Sequence, residues 1–286
     1  ANATLTINNV RVGDTTFNYQ IANNGTTGPA LRGAVQTSVN GANLSDARLS
    51  GAGVTAGNYN TGAPGSSTAD LGVTFSAASA GALAPLSGQV LNLRSNFENI
   101  PDQKLNIVLA SSAAAYNAAI GSAGSPVLVA NQRVGGSNTA TVTVSNTAAA
   151  GAFSEDLNVS VGGSSGATGS GTITGRLAGT SNTGSGSITV GGLDTSTAGA
   201  KSGTVTLAYE TAGKVNGVSN GLVAASVGSQ VLTVSGDVYR LAAGAANPTP
   251  IVFANRHVGD SASQLLTVQN TAAADGFSEK LNASIS

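Results

Sequence analysis

Few side chains in this 286-residue chain are of a type that does chemistry. His257 is the only histidine and there is no cysteine, so a zinc site, which needs several His or Cys ligands, cannot be assembled. Gly162-Gly163-Ser164-Ser165-Gly166 fits the G-x-S-x-G pattern of a nucleophile elbow. That elbow requires a strand–turn–helix setting and a triad histidine. Here the match lies in a glycine-rich run, in a chain with 39 glycines, and reads as a flexible loop. No G-x-x-x-x-G-K-[ST] phosphate loop occurs. Asp14, Asp46, Asp70, Glu98 and Asp102 are scattered, and Glu155-Asp156 is an adjacent acidic pair. Glycoside hydrolysis needs two acids facing each other across a cleft, and nothing singles out such a pair. Calcium needs several oxygen ligands close together; a site between domains stays open on sequence alone, but no metal or cofactor site is assigned.

The background in which these residues sit is unusual. Charged residues make up 9% of the chain and the net charge is −1, against about 25% charged in ordinary soluble domains. No basic field exists to hold phosphates, which excludes nucleic acid as an expected partner. No apolar run reaches the length of a transmembrane helix. Hydrophobic residues are 41% but aromatics only 4%, so any core is built from Val, Leu, Ile and Ala, which suits many short strands. Cys and Met, the side chains most open to oxidation, are both absent, as fits an extracellular protein. The opening Ala1-Asn2-Ala3 fits a mature end left by signal cleavage or an arbitrary boundary equally well.

Internal repetition organises the chain. Pro126-Val127-Leu128-Val129-Ala130-Asn131 returns as Pro250-Ile251-Val252-Phe253-Ala254-Asn255, 124 positions on. The same spacing carries Val142-Thr143-Val144 with Asn146-Thr147-Ala148 onto Leu266-Thr267-Val268 with Asn270-Thr271-Ala272, and Phe153-Ser154-Glu155 onto Phe277-Ser278-Glu279. A fainter copy places Val10-Arg11-Val12-Gly13 122 positions before Gln132-Arg133-Val134-Gly135, and Tyr116 123 positions before Tyr239. The division expected is residues 1–125 as a divergent first repeat, 126–249 as a second, and 250–286 as the opening part of a third, whose core needs strands from following sequence or from a neighbouring molecule. The equivalents of His257 are Arg133 and Arg11, which marks a surface position beside a turn and not a catalytic base.

Apolar residues alternating with Thr or Ser recur in segments such as Ala140–Val144, Leu157–Val161, Ser187–Val190, Gly203–Leu207 and Gln230–Val234. That is the pattern of half-buried antiparallel strands. Seven or so strands in each repeat of about 124 residues predict an all-β chain of tandem immunoglobulin-like β-sandwiches. The Ala-rich stretch Ser111–Ala119 could form a turn of helix, but its counterpart around Tyr239 is strand-like and the strand is preferred.

The segment Val252 to Gly259, of pattern Val-x-Phe-Ala-Asn-x-x-Val-Gly, with Asn270-Thr271-Ala272 after it, resembles bacterial repeats of the choice-of-anchor D kind. Those are similar to the wider ASH-type immunoglobulin-like sandwich group. The resemblance implies a large secreted or surface-displayed bacterial protein. It covers the second repeat and the third stretch well and the first repeat weakly.

The function expected is therefore structural and not enzymatic: an extracellular or cell-surface repeat protein forming a rod or filament. Its partners would be neighbouring repeats or other copies of itself. Ile251, Phe253, Leu266, Val268, Phe277 and Leu281 form the expected assembly segment, open to completion by strand addition. The alternative is an adhesin or carbohydrate-binding module contacting a surface glycan or host ligand. Tyr59, in the loop Gly57–Thr61, is the expected ligand contact. Phe153 and Phe277 are expected to plug the core. Tyr116 and Tyr239 are expected to pack their rings and donate their hydroxyls to backbone, and Asn146 and Asn270 to shape turns.

Overall fold

The computed structural model describes residues 2–286. The first 116 residues supply eleven strands: β1 (Ala3–Ile7), β2 (Val10–Arg11), β3 (Gly13–Tyr19), β4 (Arg32–Gln36), β5 (Leu49–Ser50), β6 (Gly57–Asn60), β7 (Leu71–Ala77), β8 (Gly81–Ala82), β9 (Val90–Ser95), β10 (Gln103–Leu109) and β11 (Ala114–Tyr116). A three-residue 3-10 turn at Ala52–Val54 is the one helical element among the described residues. The Ala-rich stretch is extended at β11, as its strand-like counterpart predicts.

Sheet β1-β10-β9-β4-β6 and sheet β3-β7-β5 enclose one apolar cluster, to which a small sheet β2-β11-β8 adds Val10 and Ala115. Alternation decides what faces inward. In β7, Val73, Phe75 and Ala77 are buried while the residues between them are not, and β10 buries Leu105 and Ile107. The cluster draws only on residues 5–115.

A second cluster draws only on residues 119–234. Its strands are β12 (Gly121–Ala123), β13 (Val127–Leu128), β14 (Gln132–Arg133), β15 (Thr139–Val142), β16 (Val144–Asn146), β17 (Leu157–Ser165), β18 (Thr168–Arg176), β19 (Ser185–Gly191), β20 (Gly199–Thr211), the short hairpin β21 (Lys214–Val215) and β22 (Val218–Ser219), and β23 (Ala225–Tyr239). The path β13-β23-β20-β17-β18 repeats the pattern of β1-β10-β9-β4-β6: a parallel outer strand, then antiparallel pairs. The pair β15-β19 likewise matches β3-β7.

The second unit departs from two separate sheets. Here β18 hydrogen-bonds to β17 through Thr172–Arg176 and to β19 through Thr168–Thr174, so one path runs unbroken to β15. Gly171 and Gly175, at φ +94° and +70°, let β18 turn from one layer into the other where a side chain would be strained.

Residues 250–286 build little of their own. β24 (Gly244–Asn247) pairs with β25 (Thr267–Asn270), and the remainder is irregular and largely exposed.

Candidate functional site

Buried polar groups locate the site. Of the ten buried polar or charged residues among those described, Asn146, Ser154, Glu155, Asp156, Thr211 and Asn220 lie on strand ends and loops of the second unit. Such groups are tolerated inside a protein only when paired, and several of these partners come from the first unit.

Glu155 is the centre. Its side chain is fully buried, with Nε and Nη2 of Arg11 each 3.0 Å from Oε2. Asn220 Nδ2 donates to Oε1 at 2.7 Å, and the Thr211 hydroxyl donates to Oε2. Arg11 also donates to the carbonyl of Val223 at 2.7 Å, and Asn9 Nδ2 donates to the carbonyl of Asn220 at 2.6 Å. The loop between β20 and β23 thus wraps the edge of the first unit. Asp156 holds that loop in place: its carboxylate accepts the backbone N–H groups of Asn216 at 3.0 Å and Gly217 at 2.8 Å.

Beside this ion pair the chain leaves the first unit through a short parallel bridge. Asn117 N donates to the Phe153 carbonyl at 2.8 Å, and Glu155 N donates to the Asn117 carbonyl at 3.0 Å. The Tyr116 ring packs on Phe153, centroids 5.6 Å apart. Asn146 then receives the incoming strand. Its Oδ1 accepts Ile120 N at 3.1 Å and its Nδ2 donates to the carbonyls of Glu155 and Arg176.

The same set recurs where the second unit meets residues 250–286. Arg240 N donates to the Phe277 carbonyl at 2.9 Å and Glu279 N to the Arg240 carbonyl at 3.0 Å. Tyr239 packs on Phe277, centroids 5.9 Å apart. Arg133 Nε meets Glu279 Oε1 at 2.6 Å, and the Glu279 carboxylate beside it raises the Arg133 guanidinium above its ordinary pKa. Asn270 Oδ1 accepts Ala243 N at 3.0 Å, and its Nδ2 donates to the Glu279 carbonyl at 3.0 Å. Thr271 N bonds the Ala243 carbonyl at 2.7 Å, as Thr147 N bonds that of Ile120 at 2.7 Å. The two joints differ in cover. Arg11 is 23% exposed and Glu155 fully buried, whereas Arg133 is 67% and Glu279 33% exposed.

Several expected roles change. Phe153 and Phe277 are not core plugs: each is half-buried and packs on the tyrosine that ends the preceding unit. Tyr116 and Tyr239 pack their rings as expected, but neither hydroxyl makes a hydrogen bond among the described residues. Asn146 and Asn270 are more than turn formers, since each stitches an incoming strand to the Phe-Ser-Glu segment. Glu155, set aside on sequence as half of an acidic pair, is the most connected carboxylate in the joint. The signal that could have found it was the spacing: Arg11 to Arg133 is 122 positions and Glu155 to Glu279 is 124.

Other candidates are placed apart from the joints. Tyr59 is half-buried in β6 and not presented on a loop; its hydroxyl donates to the Arg94 carbonyl at 3.0 Å, and its ring fills the space a side chain on Gly33 would need. Ser164 lies in a strand–turn–strand hairpin, not at a strand–turn–helix elbow. His257 is exposed, in a turn where its N–H reaches Asp260 Oδ2 at 3.2 Å. In the assembly segment, Ile251, Phe253 and Val268 are exposed, while Leu266, Phe277 and Leu281 are half-buried.

No family model matches the chain, and no curated protein matches it. Among solved structures it is similar to CfaE, the adhesive subunit of CFA/I fimbria of enterotoxigenic Escherichia coli, at TM-score 0.29 and 10% identity, covering 83% of this chain and 97% of that one. It is also similar to domains 3 and 4 of rat CD4 (TM-score 0.20, 10% identity, 80% and 99% covered) and to the extracellular portion of mouse CD200RLa (TM-score 0.19, 10% identity, 82% and 100% covered). Likeness at this level does not distinguish one all-β arrangement from another, and the chain is placed in no family by it.

Proposed function

We propose that the chain is part of a non-enzymatic, extracellular structural protein of a bacterial surface or matrix. In it, immunoglobulin-like sandwiches of about 124 residues are joined end to end into a stiff rod. One observation carries this reading: the two joints use the same backbone bonds, the same Tyr–Phe contact, the same Asn and the same Arg–Glu pair. A joint that repeats its contacts repeats its angle, and repeated angles make a rod of fixed pitch. A flexible linker would need none of these bonds. Small-angle X-ray scattering tests the idea. The wild-type chain is expected to scatter as one elongated body, and Phe153→Ala combined with Arg11→Met as two independently moving bodies. Wild-type scattering already typical of freely moving beads would overturn it.

A second reading concerns assembly. Ile251, Val252 and Phe253 are exposed, whereas Val129, 124 positions before Phe253, lies in the second core. Val268 is exposed where Val144 is fully buried. Strands covering these residues would come from the same polypeptide or, in a self-assembling filament, from another copy. Light scattering on the full chain and on a form ending at Pro248 separates the two. Oligomers lost on truncation favour assembly, and two monodisperse samples exclude it. The alternative to a structural role, an adhesin or carbohydrate-binding module, is supported by a cleft at the far end of the first unit.

A further inference from the structure

The loops that form the receiving side of each joint have a third version, at the end of the first unit that faces away from the second. Asn23 stands there as Asn146 does in the second unit. Asn23 N donates to the Ser66 carbonyl at 2.8 Å and Gly65 N to the Asn23 carbonyl at 2.8 Å; the matching bonds of Asn146, with Thr180 and Gly179, are 3.0 and 2.9 Å. Gly25 N reaches Asn23 Oδ1 at 3.2 Å, as Ala148 N reaches Asn146 Oδ1 at 3.3 Å. Asn23 Nδ2 donates to the Pro29 carbonyl where Asn146 Nδ2 donates to that of Glu155. The residues in place of Phe153-Ser154-Glu155 are therefore Thr27-Gly28-Pro29. No ring waits for a tyrosine and no carboxylate for an arginine, so this face lacks the chemistry of the two joints.

It carries a cleft instead. The segment at residues 22–31 and the β9–β10 loop enclose about 430 Å³, adjoined by a second hollow of about 250 Å³ that shares Asn24, Leu31, Ile100 and Gln103. That size falls in the range of small-molecule sites. Asn24, Asn99 and Gln103 line it, all exposed, and their side chains make no hydrogen bond among the described residues. Phe97, Ile100 and Leu31 supply its apolar wall. No Lys, Arg, His, Asp or Glu lines either hollow.

We propose that this cleft binds a neutral saccharide. An amide side chain holds a donor and an acceptor side by side, which matches adjacent hydroxyl groups that each donate and accept. The Phe97 ring and the Ile100 side chain offer an apolar surface to the C–H face of a sugar ring. No charged side chain lines the cleft to pair with an anionic or cationic ligand. The proposal is independent of the rod, because the cleft shares no residue with the joints.

The test uses the full chain against immobilised neutral oligosaccharides containing glucose, galactose or N-acetylglucosamine, with sialylated and sulfated oligosaccharides alongside. The expected result is binding to at least one neutral oligosaccharide and backbone amide shifts confined to residues 22–31 and 96–103. In the Asn99→Ala, Gln103→Ala double variant, whose altered side chains are exposed and leave the core intact, binding should fall at least about tenfold, equivalent to losing one or two hydrogen bonds. Arg11→Met should bind as well as wild type, whatever it does to the rod. Absence of binding to every neutral oligosaccharide, binding to charged oligosaccharides alone, or affinity unchanged in the double variant would each overturn the proposal.

Discussion

Arg11 and Arg133 make the same pair with the same residue type under different cover, so they form a controlled experiment within one chain. Arg11→Met keeps an apolar stem at this position and removes the guanidinium. Glu155 then keeps Asn220 and Thr211 but loses the cation 3.0 Å from Oε2. Removing one partner of a buried pair costs about 3–5 kcal/mol, because the other charge stays desolvated. Arg11 is 23% exposed, so water recovers part of that, and about 2–3 kcal/mol is expected. For a unit of this size, at about 4 °C per kcal/mol, the melting transition of the second unit should fall by about 8–12 °C. Arg133→Met removes a guanidinium that is 67% exposed and should shift the transition by close to nothing. Calorimetry reads both, with the units followed as separate transitions because a two-domain chain need not unfold in one step. Adding Glu155→Gln to Arg11→Met should restore much of the loss, since the carboxylate left without its cation is then neutral. Equal shifts for the two arginine variants, or no rescue by Glu155→Gln, would refute the claim that burial of the pair sets its worth.

Asn146→Ala strands several buried groups at once and should cost about 3 kcal/mol in urea unfolding, whereas Asn270→Ala, with matching bonds in an exposed setting, should cost under about 1 kcal/mol. Burial pushes the phenols of Tyr19 and Tyr209 up from 10.0 to about 12. Phenolate absorbance should therefore show two groups ionising near pH 12, and stability present below pH 10 should be lost as pH rises from about 10 towards about 12, because only the unfolded chain releases these protons there. The Arg48 hydrogen bond, despite an opposing effect of burial, holds the Asp46 carboxyl well below its ordinary 3.8. Its contribution is complete above the unfolded value and lost as pH falls below about 4, so Asp46→Asn should flatten the acid limb of a stability–pH curve, and an unchanged limb would count against the pairing.

Alternation made the strands legible. The apolar–Thr/Ser patterns at 187–190, 203–207 and 230–234 fall within β19, β20 and β23, because a period of two assigns inward and outward faces without knowledge of the partner strand; the pattern at 140–144 is instead split at Thr143 between β15 and β16, which pair in different sheets. The continuous path through β18 was not legible. It depends on Gly171 and Gly175 adopting positive φ, and in a chain this rich in glycine one position does not stand out from another. The joint was half legible. The spacing exposed Tyr116, Phe153, Asn146 and Arg11 as repeated types, but each was assigned within its own unit, as core plug, turn former or surface cation. The Tyr116–Phe153 and Arg11–Glu155 contacts join residues 37 and 144 positions apart, and no local pattern reports which repeat supplies the partner.

The two joints also differ in how far they shield their ion pairs from water. The projecting side is alike in both: an arginine, a tyrosine and the backbone after it. What differs is the receiving side. In the second unit the β20–β23 loop, braced by Asp156, lays Asn220 and Val223 over Arg11 and closes water away from Glu155. At Glu279 the pair is open to solvent, and position 280, where Asp156 has its copy, is a lysine. A charge pair gains from low dielectric only once it is covered. In the first joint the covering loop therefore sets the worth of the ion pair, while the Tyr–Phe contact and the backbone bridge are common to both joints.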